Sequence, residues 1–232
     1  MQKINDHNDH NELNDQQFGV ILADPPWGYS NFGAAKHGAV RAHMGTIALP
    51  ELCQVPVASW ARRDAILLLW ATWPKLRDAF VVAHNWGFSD YVTGIPWIKT
   101  SPSSGTIRTG IGFWFQSTSE LLLVFRRGKP PSPDGNATKK RRPVKGLLCG
   151  SEIQFYAPVK EHSSKPLSVY DWARAKLKGP YLELFARNTI HGWTCWGIET
   201  GYELSVSGVR RVRRGRGSPR GEQVPKARAT RR

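Results

Sequence analysis

The sequence predicts an α/β fold in which helices and strands alternate around an open, largely parallel sheet. Two observations predict it: uninterrupted apolar runs have the length of strands buried on both faces, and stretches with helical periodicity separate them. The chain has 232 residues, of which 40% are hydrophobic, and this length suits one substantial domain better than two. Ligands bind beyond the carboxyl ends of the strands in such sheets, so the segments that follow the strands are the candidates for function.

The predicted elements follow each other in a regular order. Residues 65–71 form an uninterrupted apolar run, which is typical of a central strand. A proline in the first turn marks the start of two helices, opened by Trp73-Pro74 and Lys165-Pro166, and a glycine marks where each one ends. The predicted strands span 18–23, 65–71, 91–99, 121–125, 153–157, 181–185 and 193–198, and the predicted helices span 50–61, 73–86 and 165–178.

Composition divides the chain into a leader, a domain and a tail. Residues 1–17 are polar and predict a weakly ordered leader. Residues 18–204 form the predicted domain, which carries a basic, proline-rich insertion at 127–147. This insertion is either a solvated excursion or a phosphate contact. Residues 205–232 are rich in Arg, Gly, Ser and Pro, and they predict a basic disordered tail.

The net charge of the chain is +15, and its distribution is uneven. Residues 210–232 hold ten basic residues and one acid, a net charge of +9, which leaves +6 for residues 1–209. A moderately basic body with a strongly basic tail predicts an acidic partner, for which nucleic acid is the natural candidate. A solvated tail that only aids solubility is the alternative.

Cysteine usage and the apolar segments indicate a compartment. Cys53, Cys149 and Cys195 are odd in number and far apart, and no Cys or His spacing predicts a metal site. Free thiols in a reducing compartment fit this pattern best. The sequence contains neither a signal-peptide core nor an apolar run of 18 residues, so we expect a soluble, intracellular protein that does not bind membranes.

The strongest functional candidate is the tetrapeptide Asp24-Pro25-Pro26-Trp27, called the acidic loop below, which directly follows the first predicted strand. The exocyclic amine of adenine is a poor nucleophile because its lone pair is delocalised into the ring. The Asp24 carboxylate and the Pro25 carbonyl offer acceptors for its two hydrogens, consecutive prolines stiffen the loop, and the Trp27 ring can stack on the base. An ordinary turn after a strand is the alternative.

Several further stretches carry a specific resemblance to a known family. They are residues 21–27, 45–46, 68–72, 97–100, 108–114, 119–124, 164–166 and 183–187. In this order they resemble the MT-A70 family, the S-adenosylmethionine-dependent adenine-N6 methyltransferases, over about residues 19–199. The resemblance implies a Rossmann-like methyltransferase fold in a permuted order, in which the acceptor motif precedes the donor-binding strand.

The resemblance also implies a site with two halves and S-adenosylmethionine as the cofactor. Lys165 would pair with the methionine carboxylate of the donor, and Arg187 and Asn188 would lie near its ribose and adenine. Relatives usually have Asn at the position of Ile198 and often Gly at that of Ala186. The implied catalytic residues are Asp24, Pro25, Pro26 and Trp27; the donor-binding residues are Lys165, Pro166, Glu183, Phe185, Arg187, Asn188 and Glu199; the substrate-binding residues are Trp27, Lys99, Arg108, Thr109 and Gly110.

The compact size of the chain resembles bacterial and phage members of the family, which look like DNA methyltransferases. We therefore expect DNA as the partner, in the cytoplasm of a bacterial or phage-infected host cell, and we leave a homodimer or heterodimer open. Three alternatives remain: RNA as the acceptor, the amine of cytosine as the acceptor, or a catalytically silent nucleic-acid-binding subunit of a methyltransferase complex.

Overall fold

The computed structural model describes residues 15–29, 45–110, 114–131, 133, 155–158 and 165–212. The strands are β1 (Phe18–Ala23), β2 (Ala61–Ala71), β3 (Asp90–Thr100), β4 (Ser119–Arg127), β5 (Phe155–Pro158), β6 (Tyr181–Leu184), β7 (Thr194–Trp196), β8 (Tyr202–Ser205) and β9 (Gly208–Arg211). The α-helices are α1 (Leu49–Gln54), α2 (Val57–Trp60), α3 (Leu76–Asn85) and α4 (Ser168–Lys176), and 3₁₀ turns span Trp73–Lys75 and Ile198–Thr200. In these ranges α-helices separate β1 from β2, β2 from β3 and β5 from β6, whereas the other strands follow each other without an intervening α-helix.

Seven of the strands form one sheet in the order β5-β3-β4-β2-β1-β6-β7. Strand β1 pairs in parallel with β2 and β6, and the pairs β3 with β5 and β6 with β7 are also parallel. Strand β4 is antiparallel to both β2 and β3. The largely parallel sheet is therefore confirmed with β4 as its exception, because the chain leaving β3 returns directly beside it instead of crossing over the sheet.

Both faces of this sheet are covered, which explains the uninterrupted apolar runs. All six residues of β1 are buried, and so are residues 65–71 of β2. The face that carries Ile21 packs against α1, α2 and α3. The face that carries Leu22 packs against α4.

Two predicted helices change at their boundaries. The helix predicted at 50–61 is divided into α1 and α2, because the chain is extended at Val55 and leaves the helical region at Pro56. The helix predicted to begin at Lys165 begins at Ser168, although Pro166 does accept a backbone hydrogen bond from Val169 at 3.2 Å. None of the helices in the described ranges is long and apolar enough to span a membrane.

The disorder predicted for residues 205–232 is wrong for residues 205–211. Strands β8 and β9 pair there as an antiparallel hairpin. Val209 of this hairpin is 1% exposed and belongs to the same hydrophobic core as β1, and the partly buried Tyr202 and Leu204 pack against that core. These three side chains attach the hairpin to the domain. Residues 213–232 lie outside the described residues, as do residues 1–14 of the leader and 134–147 of the insertion.

The candidate site lies where β1, β2, β3 and β6 end, at the same edge as the amino end of antiparallel β4. Asp24 follows β1, Thr72 follows β2, and Glu120 is the second residue of β4. Gly197 follows β7 and passes so close to the backbone of Ala186 that a Cβ at position 197 would lie 2.2 Å from the Ala186 oxygen. A glycine at 197 is therefore needed for the two loops to approach each other.

Candidate active site

Backbone hydrogen bonds hold the acidic loop in one conformation. The Trp27 N–H donates to the Pro25 carbonyl oxygen at 2.8 Å, which closes a tight turn within the loop. The Ile47 N–H donates to the Pro26 carbonyl oxygen at 3.1 Å and ties the loop to residues 45–48. Both prolines lack an N–H of their own, so the loop has few ways to rearrange. A carbonyl oxygen has two lone pairs, so Pro25 still has capacity for a second donor.

Trp27 supports the loop from inside. Its side chain is 7% exposed, and its indole N–H donates to the Trp70 carbonyl oxygen at 3.1 Å. The stacking of Trp27 on a base stays a prediction, since little of the ring is open. The more open aromatic residue here is Tyr29, which is 39% exposed and hydrogen-bonded to Thr72 through the two hydroxyl oxygens at 2.7 Å.

Four alternating charges run from the acidic loop across the sheet edge. Lys165 Nζ lies 2.7 Å from Asp24 Oδ2 and 3.3 Å from Glu120 Oε2. Lys99 Nζ lies 2.6 Å from Glu120 Oε1. We call Asp24, Lys165, Glu120 and Lys99 the charged chain. It joins the two predicted halves of the site, because Lys165 was predicted to bind the donor and Lys99 the substrate. Both ammonium groups contact carboxylates of the protein itself.

The charged chain fixes the ionisation of its members. Burial alone lowers the pKa of Lys165, but the carboxylates of Asp24 and Glu120 outweigh it and hold that pKa above the usual lysine value. Burial alone raises the pKa of Glu120, but the Lys165 and Lys99 ammonium groups outweigh it and hold that pKa below the usual value. Lys165 therefore stays a cation and Glu120 an anion at neutral pH.

A cavity of about 830 Å³ opens at this sheet edge, a volume within the range of small-molecule sites. The acidic loop and residues 45–47 contribute to its lining from one part of the chain. The ends of β6 and β7 and the hairpin β8–β9 contribute from the other. Predicted site residues in the lining are Asp24, Pro25, Pro26, Trp27, Lys165, Phe185, Arg187 and Glu199. The structure thus brings residues of both predicted halves to one cavity.

Glu183 lies beside this cavity, in a hollow of about 50 Å³ that it shares with Asp24, Lys165, Arg187 and Asn188. The Tyr170 hydroxyl donates to Glu183 Oε1 at 2.7 Å. Burial raises the pKa of Glu183 to about 7, with the nearby Asp24 carboxylate adding to the effect and the Tyr170 hydrogen bond opposing it. Glu183 is therefore partly protonated at neutral pH, unlike an exposed glutamate.

This raised pKa predicts that stability falls as pH rises from about 4.5 to 7. The folded state holds the Glu183 proton in this range and the unfolded state does not, so the stabilisation is complete at low pH and is lost as pH rises through 7. The effect amounts to about 3 kcal/mol.

The measurement is the free energy of unfolding by urea at several pH values, for wild type and Glu183→Gln. We expect the free energy of unfolding of the variant to fall less steeply with pH across this range. Tyr170→Phe removes the hydrogen bond that opposes the raised pKa, so its decline should extend to higher pH. Equal slopes for wild type and Glu183→Gln would show that Glu183 is not the titrating group.

The turn after β6 directs the other predicted donor-binding residues. Phe185 has φ of 61°, in the left-handed region that non-glycine residues rarely adopt. Its ring stacks on Trp86 with centroids 6.4 Å apart. Arg187 is half-buried in the cavity lining, whereas Asn188 is exposed at the small hollow. Ile198, where the resemblance implies an asparagine in relatives, is 75% exposed and lines the cavity with an apolar side chain.

The predicted substrate-binding residues after β3 lie outside the cavity lining. Arg108 and Thr109 are exposed, and Gly110 is half-buried. The Arg108 N–H donates to the Lys99 carbonyl oxygen at 2.8 Å, and the Gly110 N–H donates to the Ser117 carbonyl oxygen at 2.7 Å. These bonds fix the root of the loop and leave the Arg108 side chain outside the charged chain.

Sequence reasoning missed two groups that complete the site, Glu120 and Tyr170. An acid at the head of the apolar run 121–125 was the available signal for Glu120, since a buried charge needs a partner. Tyr170 lies on the buried face of α4, where a hydroxyl also needs a partner. In the described residues, no group of three His, Cys, Asp or Glu side chains could hold a metal ion.

Known proteins are similar to this chain over most of its length. The MT-A70 family matches residues 18–199. The chain belongs to this family. It is 29% identical to the type II methyltransferase M.MunI of Mycoplasma sp over 81% of this chain and 80% of that protein. It is 30% identical to a probable N(6)-adenosine-methyltransferase of Oryza sativa over 84% of this chain but 25% of that protein. It is 27% identical to the N6-methyladenosine RNA methyltransferase MTA1 of Cryphonectria parasitica over 78% of this chain and 51% of that protein.

Membership confirms two predictions. The fold is the Rossmann-like methyltransferase fold, with the acceptor motif after β1 and the segment 183–187 late in the chain. The chain is an adenine-N6 methyltransferase, and the matched relatives include proteins named as N(6)-adenosine-methyltransferases. Enzymes of the family are generally dependent on S-adenosylmethionine.

Proposed function

We propose that this protein transfers the methyl group of S-adenosylmethionine to the N6 amine of adenine in DNA. The observation that carries the proposal is the Asp24 carboxylate, which is held at the mouth of a cavity by Lys165 and shares that cavity with residues after β6 and β7. The proposed compartment is the cytoplasm of a bacterial or phage-infected host cell, where donor and DNA are both present.

The acceptor half works by orienting the amine. The Lys165 ammonium group donates a hydrogen bond to Asp24 Oδ2. Asp24 Oδ1 accepts no hydrogen bond from any of the described residues. We assign Oδ1 to one amine hydrogen and the Pro25 carbonyl oxygen to the other. Two fixed acceptors favour a nitrogen whose lone pair points away from both, toward the methyl group. Positioning of this kind supplies a large part of the rate enhancement when the electrophile is already activated.

The side chains of the donor half fit S-adenosylmethionine by their chemistry. When bound, this donor supplies a methyl group on a positive sulfonium. Lys165 has three N–H bonds and gives two to carboxylates, so one remains for the methionine carboxylate. The carboxyl groups of Glu183 and Glu199 can accept from ribose hydroxyls, and Phe185 and Ile198 offer apolar surface for the adenine ring. A cavity of about 830 Å³ has room for both donor and base.

We favour DNA over RNA because the similarity to the bacterial type II methyltransferase M.MunI extends over most of both proteins. The match covers 80% of M.MunI but only about a quarter of the Oryza sativa relative. The similarity to an RNA methyltransferase, MTA1, makes RNA the second candidate. Both acceptors present the same amine, so the acidic loop does not distinguish them.

The test is incubation with labelled S-adenosylmethionine and adenine-containing DNA or RNA oligonucleotides, followed by product analysis. We expect N6-methyladenine in DNA at a higher kcat/KM than in RNA. Faster transfer to RNA would reverse the choice of acceptor, and methylated cytosine would reverse the choice of base. A silent subunit is tested by calorimetry, because it would show no heat of binding with S-adenosylmethionine.

The basic C-terminal segment is expected to govern affinity rather than chemistry. Deleting residues 213–232 removes eight basic residues and one acid but leaves the hairpin β8–β9 intact. We expect weaker DNA binding with a shallower dependence on salt concentration, and unchanged turnover on short oligonucleotides at saturation. Both are measured by titration and steady-state rates at several salt concentrations.

A longer deletion provides the contrast. Removing residues 205–232 also removes Val209 from the core and Ser205 and Val206 from the cavity lining. We expect this variant to be less stable and to lose turnover. If the longer deletion leaves stability and turnover unchanged, as the shorter one is expected to, the hairpin is not part of the catalytic domain.

A further inference from the structure

Two adjacent aromatic side chains are almost fully open to solvent. Trp114 is 91% exposed and Phe115 is 86% exposed. Isolated exposed apolar residues are ordinary, but large aromatic rings side by side in water indicate a contact that forms on binding. Within the described residues no other tryptophan approaches this exposure, the next being Trp73 at 49%.

Trp114 and Phe115 lie in the connection that joins β3 to β4. The connection between β3 and β4 leaves the same sheet edge as the acidic loop, and its root is closed by the Gly110–Ser117 and Lys99–Thr118 backbone hydrogen bonds of 2.7 and 2.9 Å. Ser119, at the end of this connection, accepts a hydrogen bond from the Trp73 indole N–H at 3.0 Å. The next residue is Glu120 of the charged chain.

The charge around the pair favours nucleic acid as the occupant. Arg108 is exposed on the same connection, and the protein carries a net charge of +15. A flat aromatic ring beside a cation suits a nucleobase beside its phosphate. An adenine that reaches the cavity must also leave its duplex, because the amine inside a base pair is not accessible to Asp24.

Resting on the proposed function, we infer that Trp114 and Phe115 insert into the duplex and occupy the space left by the extruded adenine. Apolar side chains that enter a base step unstack it and stabilise the distorted duplex. The contact is therefore needed for double-stranded substrates and dispensable for single strands. It adds a substrate-positioning element to the site without touching the reacting atoms.

The test compares duplex and single-stranded forms of one oligonucleotide, whose sequence is taken from methylation sites mapped in DNA of cells expressing the protein. For Trp114→Ala with Phe115→Ala we expect kcat/KM to fall about ten- to a hundred-fold on the duplex, and to stay within about twofold on the single strand. Trp114→Phe should retain most duplex activity. Val92→Ala is the control, because Val92 is 53% exposed at the amino end of β3, on the opposite sheet edge.

A second readout does not depend on methyl transfer. A duplex with 2-aminopurine at the target position should become more fluorescent when wild-type protein binds, and less so with the double variant. Equal losses on both substrates, or no fluorescence change with wild type, would overturn the inference. So would a change of oligomeric state on sedimentation, because the pair would then be a contact between copies of the chain. Wild-type protein that methylates neither substrate would overturn the proposed function instead, and duplexes that carry 2-aminopurine at each adenine position in turn would then decide the insertion.

Discussion

Asp24→Asn is expected to lower kcat by about 10²–10³ while the protein stays folded. The asparagine amide has the same shape as the aspartate carboxylate, but its nitrogen is a hydrogen-bond donor and the group carries no charge. Its N–H group therefore opposes the amine hydrogen that we assign to Oδ1. Lys165 keeps Glu120 as a partner at 3.3 Å, so we expect only a modest loss of stability. The measurement is steady-state methyl transfer together with the free energy of unfolding.

Asp90→Asn is the matched control. Asp90 lies at the amino end of β3, on the opposite sheet edge, and its ion pair with Arg126 is exposed. Exposed pairs contribute little to stability, so this variant should be wild-type in both rate and stability. An Asp24→Asn enzyme with wild-type kcat would remove Asp24 from the mechanism.

Lys165→Met is expected to have the largest effect on stability, a loss of about 3 kcal/mol or more. Lys165 is 10% exposed and stands between the carboxylates of Asp24 and Glu120. Removing its charge leaves Asp24 without a cation and places two carboxylates on one cavity wall. We also expect kcat to fall, because the Asp24 carboxylate is no longer held.

This variant separates two roles for Lys165. If the lysine only bound the donor carboxylate, substitution would raise KM for S-adenosylmethionine and leave stability unchanged. The charged chain predicts losses of stability and kcat as well. Lys178→Met is the control, since Lys178 is exposed just after α4. Urea unfolding and donor-dependent kinetics measure both quantities.

Much of the fold could be predicted because the apolar pattern carries it. The run 65–71 is buried at every position, and 18–23 is a strand with the predicted bounds. The direction of β4 could not be predicted, because an apolar run is the same in either direction. The hairpin β8–β9 was missed because few apolar residues attach it: Val209 is buried, and Tyr202 and Leu204 are partly buried, among basic and small residues.

The acidic loop could be located from sequence, but its chemistry could not be completed. Asp24 and Lys165 are 141 positions apart in the chain, and no spacing pattern links them. Glu120 belongs to an apolar strand, so its charge became significant only beside Lys99 and Lys165. Burial also changes the role or the pKa of a side chain, and the sequence does not show which side chains are buried. Trp27 supports the loop from within the core. Burial raises the pKa of Glu183 to about 7.

The most direct test of the central claim is the N6-methyladenine content of DNA from cells that express the protein. Hydrolysed DNA is quantified by mass spectrometry for wild type, Asp24→Asn and a vector control in a host without this modification. We predict N6-methyladenine with wild type and background levels with Asp24→Asn. Equal amounts of the modified base with both proteins would contradict an active site built on Asp24, and background levels with wild type would contradict adenine methylation of DNA.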